Sequence, residues 1–320
     1  MQQGNSMAGD HAIGIDIGGT KTKVCLVRLA DGAVLSERTE KTPCAEGGAA
    51  VLDLVVALSA DMQQQAQMLV GGTNTLGICL PELVTNAGEP ASSWNFDWRG
   101  LDFRTPLLRF GEPYFESDVR AAAFAEGWIG AGRDAEIFVY VTISTGMSHT
   151  LVINGRPYSG ARGFAIHFAG SELVAFGGED KSIEVRQHLE LFASGKALGE
   201  RYGALIGDPD ITARQLFAAA TSDPRAARII ETALLSIASY LGQLVNTLDP
   251  AMLVIGGGIG GNPAITSRLA ALTRPFIFAD PARDMPIVAA TLGDNACAIG
   301  TAALASRASM SNLETVHTAR

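Results

Sequence analysis

Two stretches of this chain, 11–20 and 137–146, follow one plan: an apolar β-run that stops at a turn of glycine and hydroxyl residues. Glycine at a strand end lets the backbone reverse tightly or approach a ligand closely, so the placement of the 36 glycines among 320 residues constrains the fold more than their number does. In the first half, His11 to Gly18 is followed by strand-like runs Thr22–Leu29 and Ala33–Thr39, with Asp31-Gly32 as the turn between them, which reads as an antiparallel meander. In the second half, Ile137–Ile143 ends at Ser144-Thr145-Gly146, and His149–Ile153 and the turn Asn154-Gly155 come next. Helical patterns follow each meander, at 49–68 and over most of 185–248, where Arg225 to Leu248 is the longest and Asp249-Pro250 closes it.

Leu76–Leu80, closed by Pro81, and Met252–Ile255, closed by three glycines, read as short buried strands. Tyr114–Glu116 leads into Asp118 and an alanine-rich helix to Trp128; Ile287–Thr291 is the last strand and Asn295–Ser306 a small-residue helix. The architecture expected is mixed α/β, built twice, with two lobes and a cleft between them. The division expected is a small lobe over 11–117, a large lobe over 118–294, and helix 295–307 packing back on the first. A loop over 85–100, rich in Asn, Ser, Trp and Gly, is too long for a mere connector.

Thirty-three acidic residues against 24 basic ones give a net charge of −9, which argues against nucleic acid or an anionic membrane as partner. No run reaches the roughly 18 uninterrupted apolar residues of a membrane span, and the polar first ten residues lack a signal pattern. The expectation is a cytoplasmic protein. Cysteines 25, 44, 79 and 297 show no metal-ligand spacing and read as buried free thiols.

Four motifs carry the chemistry. In Asp16-Ile17-Gly18-Gly19-Thr20-Lys21, adjacent glycines let turn amides face phosphate oxygens, Thr20 adds a hydroxyl and Lys21 a charge, and Asp16 is placed to hold hydrated Mg²⁺. It is not a Walker A loop, because the Gly-x4-Gly-Lys spacing is missing. Ser144, Thr145 and Gly146 form a second turn of this kind. Gly256-Gly257-Gly258-Ile259-Gly260-Gly261 formally matches G-x-G-x-x-G, but too little chain follows for a dinucleotide fold. A glycine-lined slot for a purine and close helix–strand packing both remain as readings. Asp118, at a strand-to-helix junction, is either a helix cap or a general base for a hydroxyl.

In this order and at these distances, the four elements resemble the ROK family of sugar kinases, within the actin–hexokinase–Hsp70 superfamily, over roughly residues 11–307. Asp16–Lys21 is similar to the family's first phosphate loop, Ser144–Gly146 to the second, Gly256–Ile259 to the adenosine loop and Leu292–Gly300 to the closing helix motif. Pro81, Asn95 and Trp98 resemble the substrate-lobe segment. Asp118 through Glu126 is similar to the Asn-Asp-Ala-Asn segment, which makes Asp118 the catalytic base by resemblance. The implied fold is the two-lobed actin-like ATPase (ribonuclease H-like) fold, the implied cofactors ATP and Mg²⁺ at Asp16, and the implied assembly a homodimer.

The departures matter as much. Ser117 and Arg120 replace the two asparagines around the base, and Met147-Ser148-His149 replaces a glycine-rich run. His167-Phe168-Ala169-Gly170 stands where the family carries a Glu-x-x-His pair, and Lys181, Ile183 and His188 stand where its zinc cysteines fall, so no structural zinc is expected. Substrate contacts are assigned to Asn95, Ser117, Asp118, His167 and Glu190, with Arg162, Trp94 and Trp98 as readings open between substrate contact and structure. The function implied is an ATP-dependent phosphotransferase acting on a hydroxyl of a sugar-like polyol. Gly155-Arg156-Pro157 and Gly160–Gly163 resemble the C7-cyclitol kinases, which favours a carbasugar over glucose. The alternatives are an ordinary hexose or amino-sugar kinase, and an inactive sugar-binding or regulatory protein. With the first strand at residue 11, a DNA-binding repressor is not expected.

Overall fold

A computed structural model describes residues 9–180 and 182–318; Lys181 and residues 1–8 of the polar lead lie outside them. The chain runs through β1 (His11–Ile17), β2 (Lys21–Arg28), β3 (Val34–Lys41), α1 (Gly48–Val70), β4 (Leu76–Leu80), β5 (Pro113–Ser117) and α2 (Asp118–Trp128). Then come β6 (Ile137–Ile143), β7 (Met147–Ile153), β8 (Arg156–Pro157), β9 (Glu172–Gly177) and β10 (Ile183–His188). Helices α3 (Leu189–Ala193), α4 (Gly195–Ile206), α5 (Ala213–Ala219) and α6 (Pro224–Leu248) follow, then β11 (Met252–Gly256), α7 (Gly257–Gly260), α8 (Pro263–Thr273), β12 (Ile287–Ala289) and α9 (Ala296–Thr318).

Two compact units result. The first takes residues up to Arg133, 156–165 and those from Asp294 on; the second takes Asp134–Gly155 and Ile166–Gly293. Helix α2, assigned from sequence to the lobe beginning at 118, lies in the first unit because it packs along α9.

In the first unit the sheet order is β3-β2-β1-β4-β5, with β1–β2 and β2–β3 antiparallel and β4 parallel to both β1 and β5. Strands β1 and β4 are buried on both faces, whereas β3 is a half-exposed, charge-bearing edge. One face is covered by α1, whose Val51, Val55, Leu58 and Met62 enter the core with Ile13, Ile15 and Ile78. The other face is covered by α9 on a floor of bare glycine. A side chain at Gly14 or Gly77 would strike the α9 carbonyls of Ala298 or Thr301, and one at Gly300 would strike Ala121 O of α2. The small residues at the start of α9 therefore let it lie nearly backbone to backbone on β1 and β4.

The second unit repeats the order, β7-β6-β11-β12, again with an antiparallel hairpin followed by two parallel neighbours. Its core is built on α6, which is long and apolar enough to cross a bilayer by length and composition. The helix instead buries Ile230, Leu234, Ile237, Leu241 and Val245 against Val139, Val141, Leu253 and Ile255.

Three sequence readings change. Residues 183–188, of which 185–188 fall in the region expected to be mostly helical, pair with β9 as an antiparallel ribbon, because Ile183-Glu184-Val185-Arg186 alternates with period two. Residues 257–260, read as a turn, form a helical turn. The final helix runs on to Thr318 rather than stopping near 307.

Candidate active site

The first glycine turn has its carbonyls tied down. Gly18 O accepts from the Thr42 hydroxyl at 2.7 Å, Gly19 O from the Cys44 thiol, and Thr20 O from Thr42 N at 3.1 Å. In a planar trans peptide the N–H points opposite to the preceding C=O. The amides of Gly19 and Thr20 therefore face away from the 42–44 strap and are set as a pair of anion donors. Gly18 N is not one of them, since it donates to Lys21 O and closes the hairpin. Lys21, read as a phosphate charge, is ion-paired with Asp294, both side chains being more than half exposed. Lys23, which the sequence reading missed, reaches Asn295 Oδ1 and Glu37 from a buried position.

Two carboxylates, Asp16 at the end of β1 and Asp118, feel one another's charge. The parallel β1–β4 register sets Asp16 opposite Cys79, whose thiol donates to Asp16 Oδ1 at 3.4 Å. Burial raises the Asp16 carboxyl above the ordinary carboxylate range, while that hydrogen bond and the charges of Lys21 and Lys23 pull the other way. Asp118 opens α2. Burial raises its carboxyl to about 7, the negative charge of Asp16 adds to the rise, and Val119 N, donating to its Oδ1 at 2.7 Å, opposes it. Cys297, in the first turn of α9, donates to Asp118 O at 3.6 Å. Its hydrogen bond with Cys79 lowers the thiol, but burial and the charges of Asp16 and Asp118 outweigh it and bring the thiol up to about 11.

Glu82, also missed, organises the loop beside these groups. It is 3% exposed and accepts from Trp94 N, Asn95 N and the Ser92 hydroxyl. It thereby fixes Asn95, whose side-chain amide donates to Pro81 O and whose Oδ1 faces Gly19. Trp98 is a core residue, packed edge-on against Phe96 and tilted against Phe103, whereas Trp94 is exposed. Ser117 is fully buried and caps α2 by accepting from Arg120 N. Arg120 is a tie: it donates to Glu116, Val84 O and Gly163 O, holding the 84 and 163 segments to α2.

The second unit builds its own turn. Ser144 O accepts from Gly195 N at 2.7 Å and Thr145 O from Lys196 N at 3.3 Å, so the amides of Thr145 and Gly146 face away from the start of α4. Glu190 Oε2 accepts from Met147 N at 2.8 Å and so braces this turn. Burial lowers His167 and the Glu190 charge opposes it, so these two expected substrate residues are neighbours. The glycine run after β11 fills the space above the sheet. A side chain at Gly256 would strike the Tyr140 hydroxyl, Gly257 has φ +85° with Ile143 O and Thr142 Oγ1 against it, and Gly260 meets Ile255. Close packing is what these three supply. Gly258 lies beside Ser144 Oγ with room to spare, and Ile259 rests near Gly195. His149, unassigned from sequence, packs edge-on against Phe168, and burial pushes it down to about 4.

The sequence model of the ROK family matches residues 12–308. The chain is 34% identical over 304 residues to the bifunctional enzyme NanE/NanK of Brucella suis, covering 92% of this chain and 53% of that one. It thus spans about half the length of that relative. It is 29% identical to the N-acetylmannosamine kinase of Vibrio vulnificus, covering 91% of this chain and 96% of the other. Among solved structures, a ROK hexokinase from Thermus thermophilus superposes with a TM-score of 0.75 at 26% identity, covering 94% of this chain and 99% of that one.

Proposed function

This chain belongs to the ROK family and has the actin-like ATPase fold, and on that premise we propose that it transfers the γ-phosphoryl group of ATP to a hydroxyl of a hexose-type sugar. The observation that carries the proposal is the pair of electrostatically coupled carboxylates, Asp16 and Asp118, with Asp16 leading into a turn whose Gly19 and Thr20 amides face away from the 42–44 strap. Phosphoryl transfer asks a protein for positioning, neutralisation of charge and a base, and these groups match those demands. Asp118, with a carboxyl near 7, divides between its two protonation states around neutral pH, which suits a general base. It accepts the proton of the acceptor hydroxyl as that oxygen bonds to the γ-phosphorus and the bond to the bridging oxygen breaks, releasing ADP.

Mg²⁺ fits the donor set, because Asp16 offers carboxylate oxygens at a strand end beside the phosphate turn. Asp16 would hold it through water, and the ion when bound supplies neutralisation of the phosphates. The turn at 144–146 offers a second pair of outward amides within its own unit.

For the acceptor, we favour an amino sugar or another hexose over the C7-cyclitol drawn from 155–163. One relative that shares nearly its whole length with this chain is named an N-acetylmannosamine kinase. The 160–163 segment also serves the fold itself, since Gly163 abuts the backbone of Val84 and Thr85 and its carbonyl accepts from Arg120. With His167 and Gly170 at the sugar-gripping positions, the hydroxyl contacts differ from the family's Glu-x-x-His. The same reading carries no structural zinc at 181–188 and a homodimer in solution, which light scattering checks.

The test is ADP release from ATP and Mg²⁺ across a panel of N-acetylmannosamine, glucose, other amino sugars and C7-cyclitols. We expect turnover on an amino sugar or hexose to exceed that on any cyclitol. We also expect Asp118→Asn to lower kcat by about 10²–10⁴-fold. ADP release that no sugar stimulates would overturn the kinase reading, and faster turnover on a cyclitol would overturn the acceptor class alone.

A further inference from the structure

Two of the four thiols that look scattered in sequence meet in the fold. The register of β4 against β1 sets Cys79 beside Asp16, and the glycine floor at Gly14 and Gly77 lets α9 come close enough to bring Cys297 to the same point. The two sulfurs and one carboxylate oxygen of Asp16 all lie within 4.8 Å of one another. We propose that Asp16, Cys79 and Cys297 form a binding site for a thiophilic divalent cation of the zinc class, with a fourth coordination position left for water.

The geometry supports it. A tetrahedral zinc ion with sulfur and oxygen ligands at ordinary distances sets neighbouring sulfur and oxygen about 3.5 Å apart. Cys79 Sγ and Asp16 Oδ1 are 3.4 Å apart. The third ligand needs only a shift within a gap already bounded at 4.8 Å. Two sulfurs and one carboxylate select zinc, cadmium or cobalt over magnesium, which takes oxygen ligands. Cys79 is buried, and Asp16 and Cys297 are half-buried residues beside it. The site is distinct from the 181–188 stretch, and its existence does not depend on the proposed activity. Occupancy would engage the Asp16 carboxylate that the kinase reading gives to Mg²⁺.

Cobalt(II) titration of the reduced full chain, without nucleotide, tests the site through the thiolate-to-cobalt charge-transfer band and the visible bands of tetrahedral cobalt. We expect both to saturate at one equivalent and to disappear when zinc is added. Cys297→Ala should abolish the tetrahedral spectrum, whereas Cys25→Ala, which alters a buried β2 thiol that is not one of the three ligands, should retain it. A wild-type protein without a charge-transfer band, or a Cys297→Ala spectrum equal to wild type, would overturn the proposal. A second measurement needs no variant: zinc should slow alkylation of Cys297 by about tenfold or more in peptide maps of the wild type, while Mg²⁺ should not. Equal alkylation with and without zinc would overturn it independently.

Discussion

The two hydroxyl-and-glycine turns solve one problem with different materials. At 18–20 the strap is side chain and backbone from residues 42–44, namely the Thr42 hydroxyl, the Cys44 thiol and Thr42 N. At 144–146 it is the first amides of α4, Gly195 N and Lys196 N, and Glu190 braces the next residue. Both leave two amides facing outward. Their surroundings differ in kind, since the first turn follows Asp16, which is coupled to Asp118 and to a thiol pair whose titrations are displaced by burial, whereas the second has Glu190 and His167 beside it. The two turns also close differently, Gly18 N donating to Lys21 O in the first and Ser144 N to Gly146 O in the second, and under the proposed function the first carries proton and cation chemistry while the second supplies rigid anion contact.

Removing the charge at Asp118 breaks the comparison most sharply. Besides the loss of kcat stated above, the substitution changes stability with a defined sign. A folded-state carboxyl near 7 lies above the unfolded value of about 4, so the folded protein holds this proton more tightly. The stabilisation from that proton is complete below about pH 4 and is lost as pH rises through about 7. Asp118→Asn should therefore match wild type near pH 4 and exceed it at pH 8, by as much as ~4 kcal/mol in chemical denaturation. Wild-type turnover should fall as pH drops below about 7, and a rate flat down to pH 5 would remove Asp118 from the role of base.

The next effect belongs to the second unit. Gly257→Ala places a side chain at φ +85° against Ile143 O and should cost about 2–4 kcal/mol of stability. A loss under 0.5 kcal/mol would mean that this backbone relaxes freely. In the first unit, Glu82→Gln trades one carboxylate oxygen for a donor facing other donors. It should cost about 1–3 kcal/mol and raise the KM for sugar through Asn95. The smallest effect is Thr42→Val, about 1 kcal/mol of stability with a modest rise in the KM for ATP. A KM for ATP unchanged in Thr42→Val would show that the strap does not set the amides.

Much of this was legible from residue types and spacing. The turns at 18–20 and 144–146, the meanders, and Asp118 at a strand-to-helix junction all follow from local pattern, because a glycine at the end of an apolar run has few roles open to it. What stayed hidden depends on contacts between distant segments. Cys79 and Cys297 meet only because α9 rides on Gly14 and Gly77, and no spacing rule encodes that. Glu82 follows Pro81 without a motif, yet it gathers the 92–95 loop. Conversely, the glycines at 160–163 suggested a substrate class while their backbone serves Arg120 and Val84. The 183–188 ribbon was missed although its alternation is plain, because its neighbours on the C-terminal side are helical.

The bare floor under α9 sets a timetable. Strands β1 and β4 are made before residue 81, but the helix that covers one of their faces begins at residue 296, more than two hundred residues later. As the chain emerges from the ribosome, that face of the sheet stays uncovered until α9 has been made. It is a flat apolar surface without side chains at Gly14 and Gly77 to roughen it. The second unit's strands and helices lie between them in sequence and have their own core to form in the meantime. The first sheet is thus begun first and sealed last, and that interval is where a growing chain of this design is most exposed to mispairing.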